Sequence, residues 1–213
     1  MNCTNGLTVK LQHQERATKT LRAARCVVQF CALGLAVFST LAAAIPTWAQ
    51  ANSSVEYQVK AAFLLNFAKF VEWPPNTFQN ERSPMTVCVF GYDPFGDALD
   101  EIIRGKNIDN HELLARRINE LPDLKGCQLV FVSEREEKRL PEILNNLKGV
   151  GALVVGEGGN FAERGGGIQF YLENNRMRFA INVDAVQRAH LTVSSKLLAL
   201  ARIVHDPGHP KGN

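Results

Sequence analysis

The sequence predicts an α/β domain: a three-layer sandwich whose mixed, mostly parallel sheet ends in a C-terminal antiparallel hairpin and carries helices on both faces. Three observations support this. Short continuous apolar runs at residues 86–90, 128–132 and 152–155 read as strands buried on both faces. Helical periodicities separate these runs, as parallel pairing through crossovers requires. Two strand-like segments flank Asn174 and Asn175, a two-residue loop whose asparagines tolerate positive φ.

The chain has 213 residues, 46% hydrophobic and 21% charged, with a net charge of +3. Its basicity is local. Lys10, Arg16, Lys19, Arg22 and Arg25 precede Asn52 against the single acid Glu15. Removing these from the totals of 24 bases and 21 acids leaves 19 and 20, so the body carries a net charge of −1. A near-neutral body offers no footprint for a phosphate backbone, and no nucleic-acid partner is expected.

Lys19, Arg22 and Arg25 lead into an apolar segment, residues 26–45, followed by Pro46 and the triplet Ala49, Gln50, Ala51. This order of charge, apolar core and small-x-small site reads as a signal peptide, residues 1–51, cleaved after Ala51 to release a periplasmic protein. An uncleaved anchor is the alternative, since about 20 apolar residues can span a bilayer. A single domain is expected at residues 52–205, with a flexible tail at 206–213. Cys3, Cys26 and Cys31 leave with the leader, so Cys88 and Cys127 stay as an even pair in an oxidising compartment. A bridge between them is expected; two unrelated buried thiols are the alternative.

Val59, Ala62, Phe63, Asn66, Phe67 and Phe70 recur at three- and four-residue spacing, predicting a helix over 55–73 that Pro74 and Pro75 stop. After the strand at 86–90, residues 97–104 read as a short helix and 112–118 as a weaker edge strand. The strand at 128–132 is followed by Ser133, read as the cap of a helix reaching Leu147, with Glu134, Glu136 and Glu137 in its first turn. Strand 152–155 follows Gly149. In the hairpin at 168–181, Ile168 faces Ile181, Phe170 faces Phe179 and Leu172 faces Met177. The other side pairs Tyr171 with Arg178 and Glu173 with Arg176. The apolar side is expected to pack on a helix. A final helix from Thr192 or Ser194 uses Leu197, Leu198, Leu200, Ala201 and Val204 as its stripe. If the strands holding Cys88 and Cys127 are neighbours in a flavodoxin-like order, a cross-strand bridge fits.

No catalytic signature holds: G-x-S-x-G, H-E-x-x-H, C-x-x-C and the P-loop are all absent. Ser194, Ser195 and Lys196 miss S-x-x-K because Val193 stands where the serine belongs, and helix capping explains them better. The glycines at 156–159 lack the third glycine of a dinucleotide loop, where Phe161 sits, and read as a flexible turn, as do Gly165, Gly166 and Gly167. His205, Asp206 and His209 read as a solvated tail, and His111 and His190 as structural. No metal and no cofactor is expected. Three surfaces are candidates for binding a partner or an anionic ligand: the hairpin face with Tyr171, Arg176 and Arg178; the helix end near Phe70 and Trp73; and the loop edge at 157–160.

The sequence resembles the YfiR-like periplasmic proteins. The resemblance rests on four features: Phe70, Val71, Glu72, Trp73 and Pro74 closing the first helix; Cys88 and Cys127 at their separation; the glycines before the hairpin; and the stretches 179–182 and 191–198. It implies an exported α/β protein, often a homodimer, that is an inhibitor and not an enzyme. Such a protein binds the periplasmic sensory domain of an inner-membrane diguanylate cyclase and represses cyclic-di-GMP synthesis until an outer-membrane lipoprotein sequesters it. Cys88 and Cys127 match the family's disulfide; a second bridge found in some members has no cysteines here. A different class, a periplasmic small-molecule-binding sensor module, would place its pocket at the sheet's carboxyl edge, near 91–95 or 156–160. A hydrolase would lack a candidate nucleophile.

Overall fold

The computed structural model describes residues 48–207, so the leader at 1–47 and the tail from 208 lie outside the described residues. Helix α1 (Trp48–Phe70) gives way to β1 (Val71–Glu72), and a 3₁₀ turn at Pro75–Thr77 leads toward β2 (Met85–Phe90). Then come α2 (Asp97–Ile103), β3 (Asn107–Ile108), β4 (His111–Ile118) and β5 (Leu129–Val132). Helix α3 (Leu140–Asn146), β6 (Leu153–Gly156), β7 (Ile168–Glu173) and β8 (Arg176–Asn182) follow. The described chain ends with α4 (Val183–Arg188), β9 (Thr192–Val193), α5 (Ser195–Leu198) and β10 (Arg202–Val204).

Among the described residues, eight strands form one sheet in the order β10-β8-β7-β6-β5-β2-β4-β3. The pairs from β4 through β7 are parallel, and the β7–β8 hairpin and the β3–β4 ribbon are antiparallel. Strands β2, β5 and β6 are buried at every position. Their side chains alternate between two apolar clusters, one beneath α1 and α2 with Leu64, Phe67 and Leu99, the other beneath α3 with Leu140, Ile143 and Phe161. The sheet is thus the middle layer of three, as the continuous apolar runs predict. Gly156 and Gly166 both face the Phe161 ring, where a Cβ would lie 2.3 and 2.1 Å from ring carbons. Close packing therefore requires these two glycines.

The hairpin pairs in the expected register, with Ile168 opposite Ile181, Phe170 opposite Phe179 and Tyr171 opposite Arg178. Asn174 and Asn175 take φ of 49° and 59°. Phe170 and Phe179 pack on Phe63 and Phe67 of α1, with ring centroids 5.1 to 5.9 Å apart. Leu172 departs from the expectation: it is 58% exposed and is not part of the core packed on that helix. The cysteines also meet the expectation. β2 and β5 are neighbours, and Cys88 is bonded to Cys127 with the Cα atoms 5.9 Å apart.

Other elements differ from the sequence reading. Helix α1 stops at Phe70 because residues 71–72 pair with β9 in a second small sheet. The expected helix from Ser133 is broken: Glu134–Arg139 is 3₁₀ and α3 begins only at Leu140, because Pro141 lacks the N–H that a continuous ladder needs. Ser133 does not cap it; its hydroxyl is buried and has no hydrogen-bond partner. The terminal helix is one turn long, capped by Ser194 Oγ accepting from Leu197 N–H at 3.3 Å. Leu200 is 71% exposed, and residues 202–204 run parallel to β8, completing its open edge instead of extending the helix. Asp206 accepts from Arg188 and Asn182. Burial alone would raise its carboxyl, but the bonds from Arg188 and Asn182 outweigh that and lower it.

Candidate functional site

Strands β2, β5, β6 and β7 are parallel, so their carboxyl ends deliver the segments 91–95, 133–135 and 157–160 and the hairpin tip to one edge of the sheet. From β2 the chain crosses to β4 on one side and returns to β5 on the other, which makes the β2/β5 boundary a topological switch point, where open α/β sheets bind ligands. Helix α1 closes this edge with Tyr57 and Lys60.

Two clefts lie there. One of about 210 Å³ is lined by Tyr57, Tyr92, Pro94, Ser133, Glu134 and Arg135, together with Glu157. The other, of about 220 Å³, shares Tyr57, Glu134 and Glu157 and runs on to Lys60, Leu172 and Met177. The exposed Leu172 is thus a wall of this second cleft.

The inner wall is a buried ionic network. Lys60 is 3% exposed and its Nζ pairs with Glu157 and, at 2.5 Å, with Glu56 one helical turn earlier. A buried ammonium needs such partners, since an isolated charge in the interior costs several kcal/mol or more. Tyr57 donates its hydroxyl to the Glu157 carboxylate at 3.1 Å, and Lys60 lies 4.4 Å from the centre of its ring. Burial, reinforced by Glu157, pushes the Tyr57 phenol well above its ordinary pKa, so it stays protonated and keeps donating. Burial also pushes the Glu137 carboxyl up, and Glu134 and Glu157 add to this. On the outer wall Arg135 lies on the exposed Tyr92 ring, 4.2 Å from its centre.

Of the hairpin residues singled out from the sequence, Tyr171 also lines the second cleft, whereas Arg176 and Arg178 do not. Tyr171 and Arg178 are in register on one face, and Arg178 reaches Glu173 at 3.7 Å. Arg176 is exposed, and Arg202 of β10, which the sequence reading did not single out, covers the Tyr171 ring at 4.5 Å. Trp73 is not part of that face: it follows β1, packs on the core and donates its indole N–H to the Ala68 carbonyl at 3.0 Å. His111 is structural as expected, with Nδ1 2.6 Å from the Ser83 carbonyl and its ring stacked on Phe78. In the glycine turn after β6, Glu157 pairs with Lys60.

A larger cleft of about 360 Å³ opens at the opposite, amino edge of the sheet among Leu144, Leu147, Ala152, Val186 and Leu191. Among the described residues no cluster of three or more His, Cys, Asp or Glu is placed to hold a metal ion, and no helix is long and apolar enough to cross a membrane.

A family model described as DUF4154: YfiR/HmsC-like matches residues 57–202. Among solved structures, an ABC domain in complex with L-Trp from Streptococcus pneumonia is similar at 9% identity and a TM-score of 0.47, covering 68% of this chain and 60% of that one. A conserved domain protein from Vibrio cholerae is similar at 12% identity and a TM-score of 0.40, covering 57% and 54%. The chain spans 60% or less of the length of these solved structures.

Proposed function

This chain belongs to the YfiR/HmsC-like family of periplasmic regulators of diguanylate cyclase signalling, and from that premise we propose that it is a negative regulator. It binds the periplasmic sensory domain of an inner-membrane diguanylate cyclase, holds cyclic-di-GMP synthesis off, and is released when an outer-membrane lipoprotein sequesters it. The observation that carries this reading is the family match over residues 57–202, nearly the whole span of the sheet. The protein acts by binding and not by catalysis, as a homodimer, after export through its leader. The Cys88–Cys127 bridge is in keeping with an oxidising compartment.

The binding surface we assign to the cyclase is the hairpin face with Tyr171, Arg176 and Arg178. Tyrosine and arginine are the side chains most often found at the centre of interfaces, and the near-neutral body gives no long-range steering field in their place. Deleting the gene should raise cyclic-di-GMP and biofilm formation, and expression without the leader should fail to restore the low level. Unchanged nucleotide levels in the deletion strain would overturn the reading. Charge reversal at Arg176 and Arg178 should release the cyclase from a membrane pull-down while fold and disulfide stay intact. If that double variant binds normally and a folded Trp73 variant does not, the interface is at the end of α1.

A second reading, a small-molecule-binding sensor module, is favoured by one observation: the paired clefts at the switch point, where the sheet's carboxyl edge would hold a ligand.

A further inference from the structure

The two clefts at the carboxyl edge differ in what their inner and outer walls can offer a ligand. Tyr57 has spent its only hydrogen on Glu157, so its oxygen can only accept. Glu134, exposed at the rim of the clefts, has no ion pair or hydrogen bond among the described residues. The Ser133 hydroxyl, in a residue only 2% exposed, lines the same cleft without a partner. Such an unsatisfied buried group is uncommon and calls for an explanation. Lys60 cannot serve an incoming anion, because Glu56 and Glu157 already share it. The clefts therefore present the exposed Glu134 carboxyl group, a phenolic oxygen that only accepts and a serine hydroxyl that can do either, while the buried ammonium of Lys60 is already shared.

Arg135 is the competing feature, since its guanidinium could draw an anion. It is exposed, as Glu134 is, but its guanidinium already lies over the Tyr92 ring, and around the two clefts Glu56, Glu134 and Glu157 outnumber Lys60 and Arg135. That excess of acidic side chains sets the preference. The adjoining cleft adds the apolar walls of Leu172 and Met177, suited to a short hydrocarbon chain.

We propose that this double cleft binds a small alkyl ammonium, its head on Glu134, the Ser133 hydroxyl and the Tyr57 oxygen, and its chain along Leu172 and Met177. The proposal rests on the sensor-module reading and names the ligand class for it.

Three probes of one chain length separate head from tail: pentylamine, pentan-1-ol and pentanoate, each titrated into the purified protein while the backbone amide resonances of residues 57, 92 and 133 are followed. Pentylamine should bind at least about tenfold tighter than either of the others, as expected for one charge-assisted hydrogen-bond set. Glu134→Gln should weaken it by about tenfold, and Ser133→Ala by a few-fold. Both substitutions leave the Lys60 network untouched, so folding is preserved; Leu172→Ser checks the chain and should cost a few-fold. Equal or tighter binding of pentanol or pentanoate at these residues would overturn the ammonium while leaving the sensor module standing. An unchanged affinity in the Glu134→Gln/Ser133→Ala double variant would also overturn it. If none of the three probes moves these resonances, the ammonium and the sensor module both fall.

Discussion

Removing the bridge between β2 and the segment entering β5 tests how the centre of the sheet is held. Cys88 and Cys127 are 39 residues apart in sequence, and both are essentially buried. In the chain-entropy model a closed loop of that size withdraws about 13 cal/mol/K from the unfolded ensemble, roughly 3.9 kcal/mol at 25 °C. The paired variant Cys88→Ala/Cys127→Ala keeps the site apolar, among Phe90, Leu124 and Val130, and leaves no unpaired thiol. For a domain of this size each kcal/mol moves the melting temperature by about 2 to 4 °C, so the variant should melt roughly 8 to 16 °C lower. Thermal unfolding followed by circular dichroism, with and without reductant, provides the check. The variant should be insensitive to reductant, and reduced wild type should approach it. A loss under about 3 °C would refute the reasoning: the unfolded chain would then already be restricted over this loop, and the bridge would be adding little.

Lys60→Met should destabilise the protein by roughly 3 to 5 kcal/mol, because Glu157 is then left buried without its cation; urea unfolding measures this. Asn174→Ala should cost about 1 to 2 kcal/mol, since φ of 49° is unfavourable for a residue that lacks the local side-chain hydrogen bonding of asparagine, whereas Asn174→Gly should be near neutral in the same assay. Acid should weaken the fold at two carboxylates. The Arg117 hydrogen bonds hold Asp100 below its ordinary pKa, and Asp206 is also lowered. Their contributions are fully present above the unfolded value of about 3.9 and disappear as pH falls below it through the folded values. The urea midpoint should therefore drop below about pH 4, and Arg117→Met should flatten that drop.

The hairpin was legible because its signals are local: a two-asparagine turn and a period of two fix each cross-strand partner without reference to the rest of the chain. The buried strands were legible because burial on both faces leaves no polar position in the run. The site at the carboxyl edge was not. Lys60 with Glu56 reads as an ordinary i,i+4 surface pair, and its other partner, Glu157, lies 97 residues away. The only sequence clue to Glu157 was its place directly after a buried strand. β10 escaped notice because residues 202–204 are too short for any period to show, and their pairing depends on an edge that exists only once β8 is in place. The 3₁₀ break before α3 was readable from Pro141, which the acidic first turn after Ser133 obscured.

Strands buried on both faces leave the sheet no polar surface of its own, so charged chemistry can gather only at strand ends, at the sheet's margins or on the outer layers. At the amino edge the cleft walls are largely aliphatic. The carboxyl edge instead carries a buried cation shared by two glutamates. Ionic networks of this kind are often no more stable than an apolar replacement, so stability alone does not account for Lys60 and Glu157. Their position does more. The pair ties α1 to the turn after β6, and Glu157 then aims the Tyr57 hydroxyl inward. That fixes the phenol as a donor to Glu157 and its oxygen as an acceptor toward the cleft. An apolar pair at 60 and 157 could hold the helix in place equally well, but it would let the phenol turn and would lose the oriented phenolic oxygen that this edge presents to the cleft.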